Sequence, residues 1–118
     1  MINKLKVTEL IENCRAAHGS DIHIKAGQKF VYRVDGSLKT STNSFSNEDI
    51  KELILSGEIS LTSIQTHMIQ SYQIGMPLNM DTTCTMDMNC RINIYSDLQG
   101  LNLAIRLLPK NIPTMKDL

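Results

Sequence analysis

Apolar residues along the chain follow a helical period, then an alternating one, and the cycle repeats once. Val7, Leu10, Ile11, Cys14, Ala17 and His18 share one helical face, so they predict a first helix ending near His18, with Gly19 as its left-handed cap. Ile22 and Ile24 then alternate with Asp21, His23 and Lys25, the pattern of a strand with one buried face. Phe30, Tyr32 and Val34 form a second alternating run. Asp35-Gly36 follows, a hairpin signal because both central residues of such a turn need positive φ. Ser37 to Thr40 would return beside it, and the polar stretch Thr40 to Ser44 predicts a loop within the domain. Ser46 and Asp49 predict a variant capping box, Phe45 and Ile50 a hydrophobic staple, and Ile50, Leu53 and Ile54 the inner face of a second helix ending at Gly57. Leu61, Ile64, Met68 and Tyr72 predict a third helix from about Ser60 to Tyr72.

The strongest hairpin comes last. Met86, Met88, Cys90, Ile92 and Ile94 alternate with polar residues, as do Leu101, Leu103, Ile105 and Leu107 after the turn Asp97-Leu98-Gln99-Gly100. Helix, strands, two helices, strands: the order predicts an α+β domain with a mostly antiparallel sheet and flanking helices.

The apolar faces fix the register of that hairpin, since a slip of one residue would turn a strand inside out. Ile94 must pair with Leu103, Ile92 with Ile105 and Cys90 with Leu107, which sets Arg91 opposite Arg106 on the outer face. Like charges placed opposite each other cost roughly a few tenths of a kcal/mol when exposed. A bound phosphate or carboxylate would relieve that cost, because guanidinium groups grip such anions bidentately. The alternative is that Asp87, Asp97 or another acid pairs with one arginine while water solvates the other.

Composition narrows the classes. The chain has 118 residues, room for one domain, and its twelve Lys+Arg balance twelve Asp+Glu. No net positive charge argues for a nucleic-acid partner. Three cysteines without a dense framework fit a reducing compartment. No leader pattern and no apolar run of about 18 residues occurs, so the expectation is a cytoplasmic protein. The seven methionines read mainly as core filler in a chain with only five aromatic residues.

Other candidate chemistry is weak. Cys14 and His18 are four apart and could present two metal ligands, but both also lie on the predicted buried stripe, and no Cys-x-x-Cys is present. His23 faces the side away from Ile22 and Ile24, with no nucleophile placed beside it. Neither a Gly-x4-Gly-Lys-Ser/Thr loop nor a Gly-x-Gly-x-x-Gly motif occurs, so the chain alone is expected to hydrolyse nothing.

Three ordered segments do carry a resemblance. They are His18-Gly-Ser-Asp-Ile-His-Ile24, Tyr32-Arg-Val-Asp-Gly-Ser-Leu38, and Cys90-Arg-Ile-Asn-Ile-Tyr95 followed by Ala104-Ile-Arg-Leu-Leu-Pro-Lys-Asn-Ile-Pro-Thr-Met-Lys-Asp-Leu118. Together they resemble the N-terminal domain of PilT-type type IV pilus and type II secretion ATPases. The resemblance implies a PAS-like domain over residues 1–108, with 109–118 beginning a linker to a RecA-like ATPase domain absent from this sequence. It implies a parent ATPase using ATP and magnesium, with no cofactor in the isolated domain. The implied partners are that ATPase domain, neighbouring subunits of a hexamer and an inner-membrane pilus platform protein, with no nucleic acid. The implied location is the cytoplasmic side of the inner membrane, through the pilus machinery. Arg91 and Arg106 match family arginines that face ATP phosphates. Further arginines of many members have no match here, where Asn89 and the Asp97 to Gln99 turn stand instead. The near-immediate first helix favours the pilus-retraction, twitching-motility branch. The alternative is a free-standing PAS-like sensor or protein-interaction module.

Overall fold

The computed structural model describes residues 6–85 and 88–108. The expectations for Met86, Asp87 and the linker 109–118 lie outside the described residues. In chain order the elements are α1 (Val7–Ala16), β1 (Gly19–Lys25), β2 (Lys29–Val34), β3 (Ser37–Ser44), α2 (Asn47–Leu55), β4 (Ile59–Ser60), α3 (Ser63–Gln70), β5 (Asn79–Cys84), β6 (Cys90–Asp97) and β7 (Gly100–Leu107). The fold is α+β. The seven strands make one antiparallel sheet in the order β3-β2-β1-β7-β6-β5-β4. Two meanders, one from each half of the chain, join where β1 pairs with β7.

Period-two patterning explains the sheet. Ile22 and Ile24 of β1, Ile92 and Ile94 of β6, and Leu103 and Ile105 of β7 are all buried on one face. That face packs against α1, through Val7, Leu10, Ile11 and Cys14, and against α2, through Ile50, Leu53 and Ile54. An antiparallel sheet can leave its other face to water, and this one does so over its central strands.

Local signals set the ends of the elements. Ser46 Oγ accepts from the Asp49 amide at 3.1 Å and Asp49 Oδ2 accepts from the Ser46 amide at 3.0 Å, so the expected capping box is present. Asp35 and Gly36 both have positive φ, 50° and 79°, as the β2–β3 turn requires. The α1 N-terminus has no local side-chain cap. Glu58, fifty residues away, fills that role by accepting from the amide and hydroxyl of Thr8 at 2.9 and 2.7 Å.

Several expectations are corrected. The helix α1 stops at Ala16, and Ala17 and His18 are exposed rather than on the buried stripe. The left-handed residue is His18, with φ 61°, not Gly19. Gly19 is needed for closeness, because a Cβ there would lie 2.2 Å from Cys14 Sγ. Thr40 to Ser44 is the second half of β3, an edge strand whose polar residues face water on both sides. The helix α3 covers only Ser63–Gln70 and buries Ile69, leaving Ile64 and Met68 exposed. The short strand β4 takes the start of the span assigned to that helix, and the Thr62–Gln65 capping box resets its beginning. The strand β5 was not foreseen, because Asp81, Thr82 and Thr83 interrupt its apolar period. Met80 and Met88 are core residues, whereas Met68 and Met76 are exposed.

Candidate functional site: a charged row on the open face

The last hairpin has the register that its apolar faces require. Cys90 lies opposite Leu107, Arg91 opposite Arg106, Ile92 opposite Ile105 and Ile94 opposite Leu103. Asp97 enforces it, accepting from the amides of Gln99 at 2.8 Å and Gly100 at 3.1 Å. The Gln99 amide is the main reason its carboxyl sits below the usual carboxylate range. The Asn102 side chain also lies near enough to Asp97 to assist, yet within the buried sheet neither of its amide atoms meets the geometry of a full hydrogen bond. At the other side of the turn, Asn47 Oδ1 accepts from the Leu101 amide at 2.8 Å and docks α2 on β7. A Cβ on Gly100 would meet that same oxygen at 2.5 Å, and its φ is 139°, so the position requires glycine.

Pairing continues across the sheet. Arg33 of β2 lies opposite Asp21 of β1, Asp21 opposite Arg106 of β7, Arg106 opposite Arg91 of β6, and Arg91 opposite Thr83 of β5. All five belong to one cross-sheet row on the open face. Asp21 is the hub: its carboxylate lies 3.8 Å from Arg33 Nε and 3.6 Å from Arg106 Nε. Its side chain is 19% exposed and that of Arg106 is 74% exposed. Among the described residues, no acidic side chain forms an ion pair with Arg91. Asp97 is therefore a turn former rather than an arginine partner, and Asp87 lies outside the described residues.

The next row along the strands is His23, Ala104, Asn93 and Asp81. Apart from Arg33, the two rows line a shallow cavity of about 570 Å³. Small Ala104 between His23 and Asn93 leaves the depression. Asn93 Nδ2 donates to Asp81 Oδ1 at 2.9 Å and to Asn79 Oδ1 at 2.7 Å, which fixes one rim. The cavity therefore offers two guanidinium groups beside the Asp21 carboxylate in one row, and an imidazole, an amide and the Asp81 carboxylate in the other.

One positioning residue was not foreseen. Arg15, on α1, reaches the end of the hairpin that carries both arginines. It donates to the carbonyl of Leu108 at 2.7 Å, to that of Asn89 at 2.8 Å and to that of Met88. The carbonyls just before β6 and just after β7 are thus held by one guanidinium group. Nothing in the local sequence marks this role, since the partners lie more than seventy residues away. Asp21 and Arg33 were equally hidden as a pair, although each stands inside a segment that carries the resemblance. Cys14 is buried and His18 exposed, and no group of three or more His, Cys, Asp or Glu among the described residues is arranged to hold a metal. No helix among the described residues is long and apolar enough to cross a membrane.

No family model and no curated protein matches the chain. Solved structures do. The pilus retraction motor PilT with bound ADP superposes with a TM-score of 0.67 at 23% identity, over 98% of this chain and 32% of that one. The ATPase DotB of Legionella pneumophila gives 0.62 at 18% identity, over 98% and 32%. DotB of Yersinia pseudotuberculosis gives 0.53 at 19% identity, over 91% and 31%. The chain spans about a third of the length of these proteins. At this level of identity the likeness is one of fold: the chain shares the fold of about a third of the pilus retraction motor PilT and of the ATPase DotB.

Proposed function

We propose that this chain is the N-terminal domain of a pilus or secretion ATPase, and that its open face contributes Arg91 and Arg106 to the phosphate side of an ATP site. The observation that carries this reading is the cross-sheet row. Arg33, Asp21, Arg106 and Arg91 come one each from four separate strands, and each stands in a segment that resembles those ATPases. A chain with no such role has little reason to set two exposed guanidinium groups opposite each other.

The residues suit a polyphosphate. Arg91 and Arg106 supply charge-assisted donors, and Asp21 orients Arg106 without burying it. ATP bound there supplies the phosphoanhydride that the parent ATPase cleaves. The two arginines bind and orient its phosphates, and the catalytic base and the magnesium ligands come from the RecA-like domain. Residues 1–108 then form the PAS-like domain and 109–118 the start of the linker. The parent assembles as a hexamer through contacts with neighbouring subunits and acts beside an inner-membrane platform protein on the cytoplasmic side. Pilus retraction and twitching motility are the favoured activity, by the resemblance to PilT.

The test is the complete reading frame. A P-loop encoded in frame downstream, with ATP hydrolysis and a hexamer by light scattering from the purified product, is the expected result. A stop codon directly after Leu118, or a full-length product that neither hydrolyses ATP nor assembles, would leave a free-standing PAS-like module instead.

A further inference from the structure

The pairing of β5 with β6 sets Thr83 opposite Arg91 and Thr82 opposite Ile92. Continued one step beyond its last pair, the same register sets the last residue of β5 opposite the first of β6, and both are cysteines: Cys84 and Cys90. Directly paired residues of antiparallel strands have Cα atoms about 4.5 or 5.5 Å apart, and both spacings fall within the span a disulfide bridges. Their side chains point to the same face, since cross-strand partners do. The thiol and the backbone of Cys84 both interact with the Cys90 sulfur.

From this juxtaposition we infer that Cys84 and Cys90 form a redox-responsive dithiol, which a low-molecular-weight disulfide converts to a cross-strand disulfide next to Arg91. Both are free thiols in the structure. Their surroundings assign the order of steps. Cys84 is half-buried, with its thiol donating to the Glu58 carbonyl at 3.1 Å. Cys90 is 3% exposed, and burial chiefly pushes its thiol up to about 11. The Cys84 thiolate attacks the external disulfide and forms a mixed disulfide, releasing one thiol. The Cys90 sulfur then gives up its proton and attacks the Cys84 sulfur, expelling the second external thiol. Two protein thiols are oxidised and one external disulfide is reduced to two thiols.

Proximity offsets the low thiolate fraction of Cys90, because the second step is intramolecular between paired strand positions. The site is also held in place. Arg15 fixes the carbonyls of Met88 and Asn89 on one side, and the Thr85 amide donates to the Glu58 carbonyl at 3.0 Å on the other. Closing the bond ties the ends of β5 and β6 together beside Arg91, so the state of the thiol pool reaches the charged row.

The experiment is to incubate the folded chain with oxidised glutathione at mildly alkaline pH and read free thiols and intact mass. The expected result is a fall from three free thiols to one, a mass loss of two hydrogens, and a proteolytic peptide joining position 84 to position 90. Cys14→Ser should oxidise as the wild type does, Cys90→Ser should stop at a glutathione adduct on Cys84, and Cys84→Ser should leave Cys90 free. Three free thiols under conditions that oxidise dithiothreitol would overturn the inference. So would a stable wild-type adduct on Cys84 with Cys90 still free, or a bond to Cys14 or to a second copy. The readout is chemical and does not depend on ATPase activity.

Discussion

On the helix side of β1, β7 and β6 the side chains in one row are Ile22, Ile105 and Ile92. One residue away along the same strands, on the open side, they are Asp21, Arg106 and Arg91. Each isoleucine is no more than 1% exposed, whereas both arginines are exposed. The first row stabilises by removing apolar surface from water, at roughly 25 cal/mol per Å². The second sets Arg33 and Arg106 about one carboxylate, with Arg91 beyond it, and stabilises little. Strands that bury one face so fully can carry an unfavourable arrangement on the other, and the open face is the one left to bind.

The comparison breaks first on the apolar side. Ile94→Ala is expected to lower unfolding stability by roughly 2–5 kcal/mol, because Ile94 is fully buried and the cavity can refill only in part. Urea unfolding followed by far-UV circular dichroism reads it, and a loss below about 1 kcal/mol would mean the helix side is not the core. Arg15→Ala comes next, with a loss of roughly 1.5–3 kcal/mol from charged hydrogen bonds to backbone carbonyls. Arg15→Lys should recover only part of it, since an ammonium cannot span three carbonyls as a planar fork does. The open face should respond far less. Asp21→Asn is expected to change stability by less than about 1 kcal/mol, since both of its ion pairs involve partly exposed arginines. A larger loss in the same urea assay would make the charged row a structural element rather than a binding one.

The smallest effect is in the acid limb of stability. The folded-state pKa of Asp97 lies below its ordinary value of 3.8, so its stabilisation is complete above that value and disappears as pH falls through the lowered one. Wild type and Asp97→Ala should therefore differ most near neutral pH and converge in strong acid. A difference independent of pH would show that the turn amides do not depend on this carboxylate's charge.

The central hairpin was legible because its apolar alternation is unbroken and a one-residue slip would bury Arg91 or Arg106. The capping box at Ser46 and the Asp35-Gly36 turn were legible because each is local chemistry over four residues or fewer. What failed depended on distant partners or weak periods. The strand β5 has Asp81 and Thr83 between few apolar residues, so its pairing with β6 defines it more than its own composition does. The polar end of β3 is a strand because β2 offers it a ladder. The helix α3 follows the capping box at Thr62 rather than the spacing of Ile64 and Met68. In the site, opposed Arg91 and Arg106 could be read from register. The Asp21 hub and the Arg15 clasp could not, since nothing in the sequence pairs β1 with β7 or brings α1 to the hairpin's open end.

The most direct measurement is ATP turnover by the complete reading frame carrying Arg91→Ala or Arg106→Ala, with Lys39→Ala on the exposed edge strand β3 as the comparison. The account expects each arginine variant to lose turnover by roughly 100-fold while folding and assembling as the wild type does, and Lys39→Ala to keep it. Unchanged turnover in both arginine variants would contradict it and return the pair to a solvated surface.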